Sequence, residues 1–208
     1  MAQHIDYYFT SISPFSYLGH KAIADVAERH GATIAFKPVN LGGVWAESGA
    51  VPMPQRTPMR QRYRLIELQR AAEFRGLPIT PKPAHFPVDP TLADHTVIAV
   101  VESGAHPGEY MTRVFEAIWV NDKNISDEGV LADVLAATGH DASSILERAA
   151  SDAVAAIRAT NTQDAVAADA MGAPAYVLNG EPFWGQDRIE YLERALATGR
   201  APFAAPAG

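Results

Sequence analysis

The 208-residue chain contains no cysteine. This excludes a disulfide framework and any protein thiol nucleophile, so any sulfur chemistry must arrive on a small molecule. Positive charge is also scarce: 17 Lys and Arg stand against 24 Asp and Glu, giving a net charge of -7 and a pI near 5.4. No basic run offsets the deficit, which argues against nucleic acid or an anionic membrane as a partner. Apolar runs of the roughly 18 residues needed to span a bilayer are missing. The chain enters a strand almost at once without a charged leader, so a soluble, cytoplasmic protein is expected. Seven histidines (His4, His20, His30, His85, His95, His106 and His140) show neither HxH nor HExxH spacing, and no metal site is expected. The nucleophile elbow G-x-S-x-G of many serine hydrolases is absent too.

What is present is apolar enough to fold: 48% hydrophobic residues can bury a good core, in one domain with an insertion or in two intimate subdomains. The organising stretch is Tyr7 to Leu18, YYFTSISPFSYL. Ile5, Tyr7 and Phe9 alternate as strand residues do. Ser13 before Pro14 is the pairing expected of an N-cap followed by proline at the first helical position, where a missing N-H costs nothing. The apolar spacing of Phe15, Leu18, Ala22 and Val26 carries a helix to Arg29 and His30, with Gly31 as its stop. The Ser13 hydroxyl is thereby placed where unpaired backbone N-H groups and the positive end of the helix dipole favour an anion. Read alone, Ser before Pro is usually only a cap.

Thr33 to Val39 reads as a second strand, completing a parallel βαβ unit. Asn40 to Thr57, with Gly42, Gly43, Gly49, Pro52 and Pro54, is expected to be a long loop. From Pro58 to Met171 the pattern is helical. Met59, Tyr63, Ile66 and Arg70 lie along one line of a helix that ends at Gly76. Further helices are expected to open at Asp89-Pro90, at Pro107 and at Ser126, the last closing at Gly139, and an alanine-rich helix should span Ser151 to Met171. Strands return at Ala175 to Leu178 and Pro182 to Trp184 around the hairpin signal Asn179-Gly180. Asp187 is expected to cap a last helix carrying Ile189, Leu192 and Leu196. The order is that of an α/β, thioredoxin-like domain (βαβ then ββα; residues 1–57 and 172–200) interrupted by a large all-helical insertion (58–171) and followed by a flexible tail (201–208).

Four segments now carry a family likeness: Ser13-Pro14-Phe15-Ser16-Tyr17-Leu18-Gly19, Ser48-Gly49 with Pro52, Gly172-Ala173-Pro174, and Phe183-Trp184-Gly185-Gln186-Asp187-Arg188. In this order and spacing the chain resembles 2-hydroxychromene-2-carboxylate isomerases and the related kappa-class glutathione transferases, both of the DsbA-like branch of thioredoxin folds. The resemblance implies glutathione as cofactor, a small aromatic substrate and a homodimer. It places Ser13 and Ser16 where thiol oxidoreductases of this fold carry CxxC, so that Ser13 would hold a glutathione thiolate rather than a protein thiol. Pro174 would be a cis-proline that frees the backbone of Ala173 to pair with the glutathione peptide. Gln186 and Asp187, with Trp184 and Gly185, would hold its γ-glutamyl end, and Arg60 would also bind it. Ala50, His85 and Phe86 would line the pocket of the aromatic substrate. Ala50 stands where the family commonly has Asn, Arg60 where it has Lys, and Met171 where an aromatic is frequent. The implied activity is the interconversion of 2-hydroxychromene-2-carboxylate and trans-o-hydroxybenzylidenepyruvate, in aromatic-hydrocarbon breakdown. A kappa-like transferase and a non-catalytic glutathione-binding module are the competing readings.

Overall fold

The computed structural model describes residues 3–205. Strand β1 (His4–Phe9), helix α1 (Pro14–His30) and strand β2 (Thr33–Pro38) form the expected parallel unit, with Ile5 opposite Ile34 and Tyr7 opposite Phe36. Strands β3 (Ala175–Leu178) and β4 (Glu181–Trp184) complete a four-stranded sheet in the order β2-β1-β3-β4, and β3 runs antiparallel to β1. Asn179 and Gly180 both take positive φ (53° and 84°), as the two-residue turn of the β3–β4 hairpin requires.

Alternation along β1 sends side chains to two cores. Tyr7 and Phe9 join Leu18 and Ile23 of α1 in one large cluster, together with Val97, Phe115, Ile118 and Trp119. These last four come from helices α4 (Thr91–Glu102) and α5 (Gly108–Trp119), so the insertion and one sheet face share a core. Tyr8 faces the other way, into a smaller cluster with Val39, Val44, Ala165 and Val177.

That second cluster explains a departure from expectation. Residues 40–57 are not one long loop: Leu41–Ser48 form helix α2, and Met53–Gln55 a 3-10 turn. Asn40 caps α2 by accepting the Gly42 N-H, and Gly49 ends it in the left-handed region (φ 72°). The glycines look like breakers in sequence. At Gly43, however, a Cβ would stand 3.0 Å from the Thr162 methyl of α8 (Asp152–Ala167), so close packing of two helices holds the segment helical.

The insertion itself is helical as expected: α3 (Pro58–Arg75), α4, α5, α6 (Glu128–Ala137), α7 (Ala142–Ala149) and α8. Helix α7, opened by the Asp141 cap, has no counterpart in the sequence reading. Asp127, not Ser126, caps α6. Helix α8 stops at Ala167, short of Met171, because Asp169 turns to φ 55°. Along α3 the line of Met59, Tyr63 and Ile66 faces outward, 72%, 56% and 45% exposed, while Leu68, Ala71 and Ala72 face the core.

Candidate functional site

The site grows from the start of α1. Ser13 caps the helix from extended geometry (φ -79°, ψ 118°), its Oγ accepting the Ser16 N-H at 3.1 Å. Pro14 contributes no N-H, and the Tyr17 N-H goes to the Ser13 carbonyl at 3.1 Å. The Phe15 N-H is therefore the first-turn donor left without a partner among the described residues, at the positive end of a 17-residue helix.

Opposite this turn, the Ala173-Pro174 peptide is cis. Ser13 Oγ donates to the Ala173 carbonyl at 3.2 Å, and the Pro174 carbonyl accepts the Gly185 N-H at 2.9 Å. Two hydrogen bonds thus chain the helix start, the cis-proline turn and the residue after β4, bringing Ser13, Ala173, Pro174 and Gly185 together. The Ala173 carbonyl is engaged by Ser13, so the N-H of Ala173 is its group open to an incoming peptide. Gly185 takes φ 104°, a conformation that disfavours any side chain. At Gly172 a Cβ would lie 2.9 Å from Trp184 Nε1, so that glycine makes room for a half-exposed indole.

Gln186 is buried, and its side-chain oxygen and carbonyl accept from Arg75 Nε and Nη2 at 2.9 and 2.6 Å, which leaves its amide NH2 group as a donor. Asp187 does not cap the last helix. It sits in the 3-10 turn Gln186–Arg188, and helix α9 (Ile189–Thr198) starts beyond it. Its exposed carboxylate lies 2.6 Å from Arg188 Nη1, an exposed neighbour pair that contributes little and yields easily to another cation.

Ser16 occupies the second position of the motif but is fully buried, and its hydroxyl has no partner among the described residues. Arg60, His85 and Phe86 belong to the insertion and Ala50 to the segment before it, and among the described residues no hydrogen bond connects any of the four with the Ser13 turn. Arg60 and His85 are exposed, Ala50 is half-buried after α2, and Phe86 packs on Trp119 with centroids 5.2 Å apart.

Three residues that brace the candidate site escaped the sequence. Asp94 of α4 is fully buried; its Oδ1 accepts the Ser11 N-H at 2.7 Å and its Oδ2 the Thr10 hydroxyl at 3.0 Å. Arg158 of α8 pairs with the same carboxylate at 2.7 Å and reaches the Val39 carbonyl at 3.3 Å. Burial pushes the Asp94 carboxyl up, against the pull of Arg158 and the Ser11 N-H. The insertion thereby grips the two residues that lead into Ile12 and Ser13. Arg75, the third, fixes Gln186. A fourth feature corrects the expectation that no basic run exists: Arg56, Arg60, Arg62 and Arg64 fall within nine positions without an acidic residue between them.

A model of the DSBA-like thioredoxin domain matches residues 4–197. The chain belongs to the DSBA-like thioredoxin family. Within this family it is similar to a 2-hydroxychromene-2-carboxylate isomerase of Pseudomonas sp. (strain C18), 30% identical over 95% of this chain and 91% of the relative. It is also similar to glutathione S-transferase kappa 1 of Caenorhabditis elegans, 29% identical over 92% and 90% of the two chains. A solved 2-hydroxychromene-2-carboxylate isomerase superposes with a TM-score of 0.81 at 28% identity, over 94% of this chain and 95% of the other. Those DSBA-like relatives that work as thiol oxidoreductases depend on cysteine; this member has none. No helix of the described residues is long and apolar enough to cross a membrane.

Proposed function

We propose that the chain is a glutathione-dependent isomerase that interconverts 2-hydroxychromene-2-carboxylate and trans-o-hydroxybenzylidenepyruvate, or a close aromatic analogue. The observation that carries this reading is Ser13: a hydroxyl at a helix start, against a cis-proline turn, in a chain with no sulfur nucleophile of its own. Similarity to named isomerases over nearly the full length supports isomerisation as the reaction type.

The unpaired Phe15 N-H, beside a rotatable hydroxyl, is the observation that fits a thiolate here. Glutathione held there would supply a nucleophilic sulfur for reversible addition to the conjugated carbon, the chemistry by which a double bond is isomerised without consuming the thiol. Ser13 turns its hydroxyl proton from the Ala173 carbonyl to the sulfur, while its Oγ keeps the Ser16 N-H and is made a better donor by it. The Phe15 N-H and the helix dipole favour the thiolate over the thiol. Further out, the Ala173 N-H pairs with the peptide, the Gln186 amide and the Asp187 carboxylate hold the α-amino acid end, and Trp184 with Gly185 walls it. Arg60 is assigned to the remaining carboxylate of glutathione. His85 and Phe86, with Ala50, border the aromatic substrate. Two copies pair through the outward line of Met59, Tyr63 and Ile66 on α3, so Tyr63→Glu should shift the mass seen by light scattering from dimer to monomer.

The test is turnover counting. With the chromene in excess and glutathione at one equivalent of enzyme, many turnovers with glutathione recovered intact support the isomerase. Stoichiometric loss of glutathione would assign the chain to kappa-like transfer, and binding without turnover to a non-catalytic module. Ser13→Ala should keep the fold, at a cost of roughly 1 kcal/mol for the cap, and lose most activity. Full activity in a folded Ser13→Ala variant, or turnover without glutathione, would refute the scheme.

A further inference from the structure

The chain has thirteen arginines. Eight of them meet a carboxylate: Arg29, Arg70, Arg75, Arg113, Arg148, Arg158, Arg188 and Arg200. Among the described residues, Arg56, Arg60, Arg62, Arg64 and Arg194 do not. Four of these five fall between positions 56 and 64, in a protein whose net charge is -7.

Charges left unpaired at random on an acidic surface would be scattered. These are gathered: Arg60 and Arg64, four residues apart, share one side of the start of α3, and Arg56, in extended backbone just before that helix, is close enough for its charge to act on Arg64 and for that of Arg60 to act on it. Arg62 points elsewhere and is exposed. Arg64 is half-buried and makes no hydrogen bond among the described residues, and its guanidinium lies 5.2 Å from the Phe86 ring centroid. Arg56 lies 5.8 Å from the Trp45 ring; its Nε is spent on the Val51 carbonyl at 2.9 Å, which leaves both of its Nη groups free. The group is electrostatically uncomfortable as it stands. Burial first, and then the like charge of Arg56, bring the Arg64 guanidinium down to about 10. Arg56 is lowered in turn by its own burial and by Arg60. Cations held together and partly out of water without a counter-ion cost free energy that an incoming anion returns.

The chemistry of that anion follows from the donors. A guanidinium fork matches a carboxylate with two parallel N-H to oxygen bonds. The neighbouring Phe86 and Trp45 rings are apolar walls suited to a flat aromatic body, for which an aliphatic glycine end has no use. We propose that Arg64, with Arg56, receives the carboxylate of a planar aromatic acid beside the Phe86 and Trp45 rings, and so selects acid electrophiles over uncharged ones. Exposed Arg60 is left for glutathione. This rests on the glutathione reading for the reaction the acid undergoes, and not for the anion site itself. Because Arg75, at the far end of α3, holds Gln186, the helix that carries Arg60 and Arg64 is tied to the proposed glutathione segment.

The first arm of the experiment omits glutathione. Titration calorimetry with trans-cinnamate and trans-cinnamamide on the intact protein should show the acid binding at least tenfold more tightly than its uncharged amide. That preference should vanish in Arg64→Met, which keeps the apolar stem over Phe86, and return in part in Arg64→Lys. A merely structural arginine predicts equal binding of acid and amide, or an acid affinity unchanged in Arg64→Met in a variant whose unfolding midpoint matches wild type; either result overturns the proposal. The second arm adds glutathione and an acid electrophile. Arg64→Met should raise the KM for the acid at least tenfold and leave the glutathione Kd unchanged. A tenfold weaker glutathione Kd with an unchanged KM for the acid would place the glycine carboxylate on these arginines and overturn the assignment. Failure of the glutathione reading would silence the second arm while leaving the first intact, so the two failures are distinguishable.

Discussion

Acid should loosen the helix that carries Ser13, and His20 gives the size of the effect. His20 lies in the middle of α1, buried among Tyr7, Phe36 and Phe115, with ring centroids 6.1, 6.4 and 5.5 Å away. Its Nε2 donates to the Gly108 carbonyl at 3.0 Å, and its Nδ1 has no partner among the described residues. An imidazolium would need a second acceptor there and would lose its hydration. Burial accordingly brings the folded pKa down from 6.5 to about 4, with only partial relief from Gly108 and a further small push from nearby His106. The unfolded chain takes up the proton below its own pKa, near 6.5, and the native state only near 4. The stability contributed by a neutral His20 is therefore whole above pH 6.5 and is lost as pH falls toward 4, in total about 3 kcal/mol at 1.36 kcal/mol per unit. Urea unfolding at pH 7 and pH 4.5 should show wild type losing about 2–3 kcal/mol more than His20→Gln, whose amide can still donate to Gly108. Carboxylates titrate equally in both proteins and cancel in the difference. Parallel losses in the two proteins would refute the reasoning.

Other outcomes follow from single contacts. Ser16→Ala should leave stability unchanged or raise it, because a buried hydroxyl without a partner is removed; a loss of more than about 1 kcal/mol in thermal unfolding would contradict the burial reading. Asp94→Ala should destabilise by about 3–5 kcal/mol, because Arg158 is left as an unpaired buried charge; denaturant melts give the number, and an unchanged midpoint would show that Arg158 finds water. Asp187→Asn should raise the glutathione KM more than it lowers kcat, the pattern of a contact made equally in ground and transition states; unchanged glutathione dependence would remove Asp187 from the site.

The sheet and its punctuation were legible because their signals are local. Ser13-Pro14, Asn179-Gly180 and Gly31 each specify a backbone conformation within two residues, and the structure has all three where they were expected. Ser13, Ala173, Pro174 and Gly185 were legible only through a family likeness, since nothing in Ala-Pro by itself requires a cis bond. Helix α2 was hidden because Gly42 and Gly43 oppose it locally, and packing against α8 outweighs propensity there. The outward turn of Met59, Tyr63 and Ile66 was hidden because periodicity gives a line along a helix without saying which way it points. Asp94, Arg158 and Arg75 were illegible for a third reason: their contacts span sequence separations of 83, 64 and 111 residues, and no local pattern records such pairs.

The grip of Asp94 on Thr10 and Ser11 has a consequence for how the two parts of the molecule fluctuate. The turn that presents Ser13 is anchored by a carboxylate from α4, so α4 cannot swing away while the turn stays formed. Opening of the insertion and disordering of the turn are then one cooperative event. Anything that binds at Ser13 must slow amide hydrogen exchange in α4 and α8 as well as in α1, although it touches neither of the first two. By the same linkage, trimming the insertion to obtain a minimal four-stranded domain would cut the anchor as well. The helices are as much a part of the cradle as the strand and turn that lead into it.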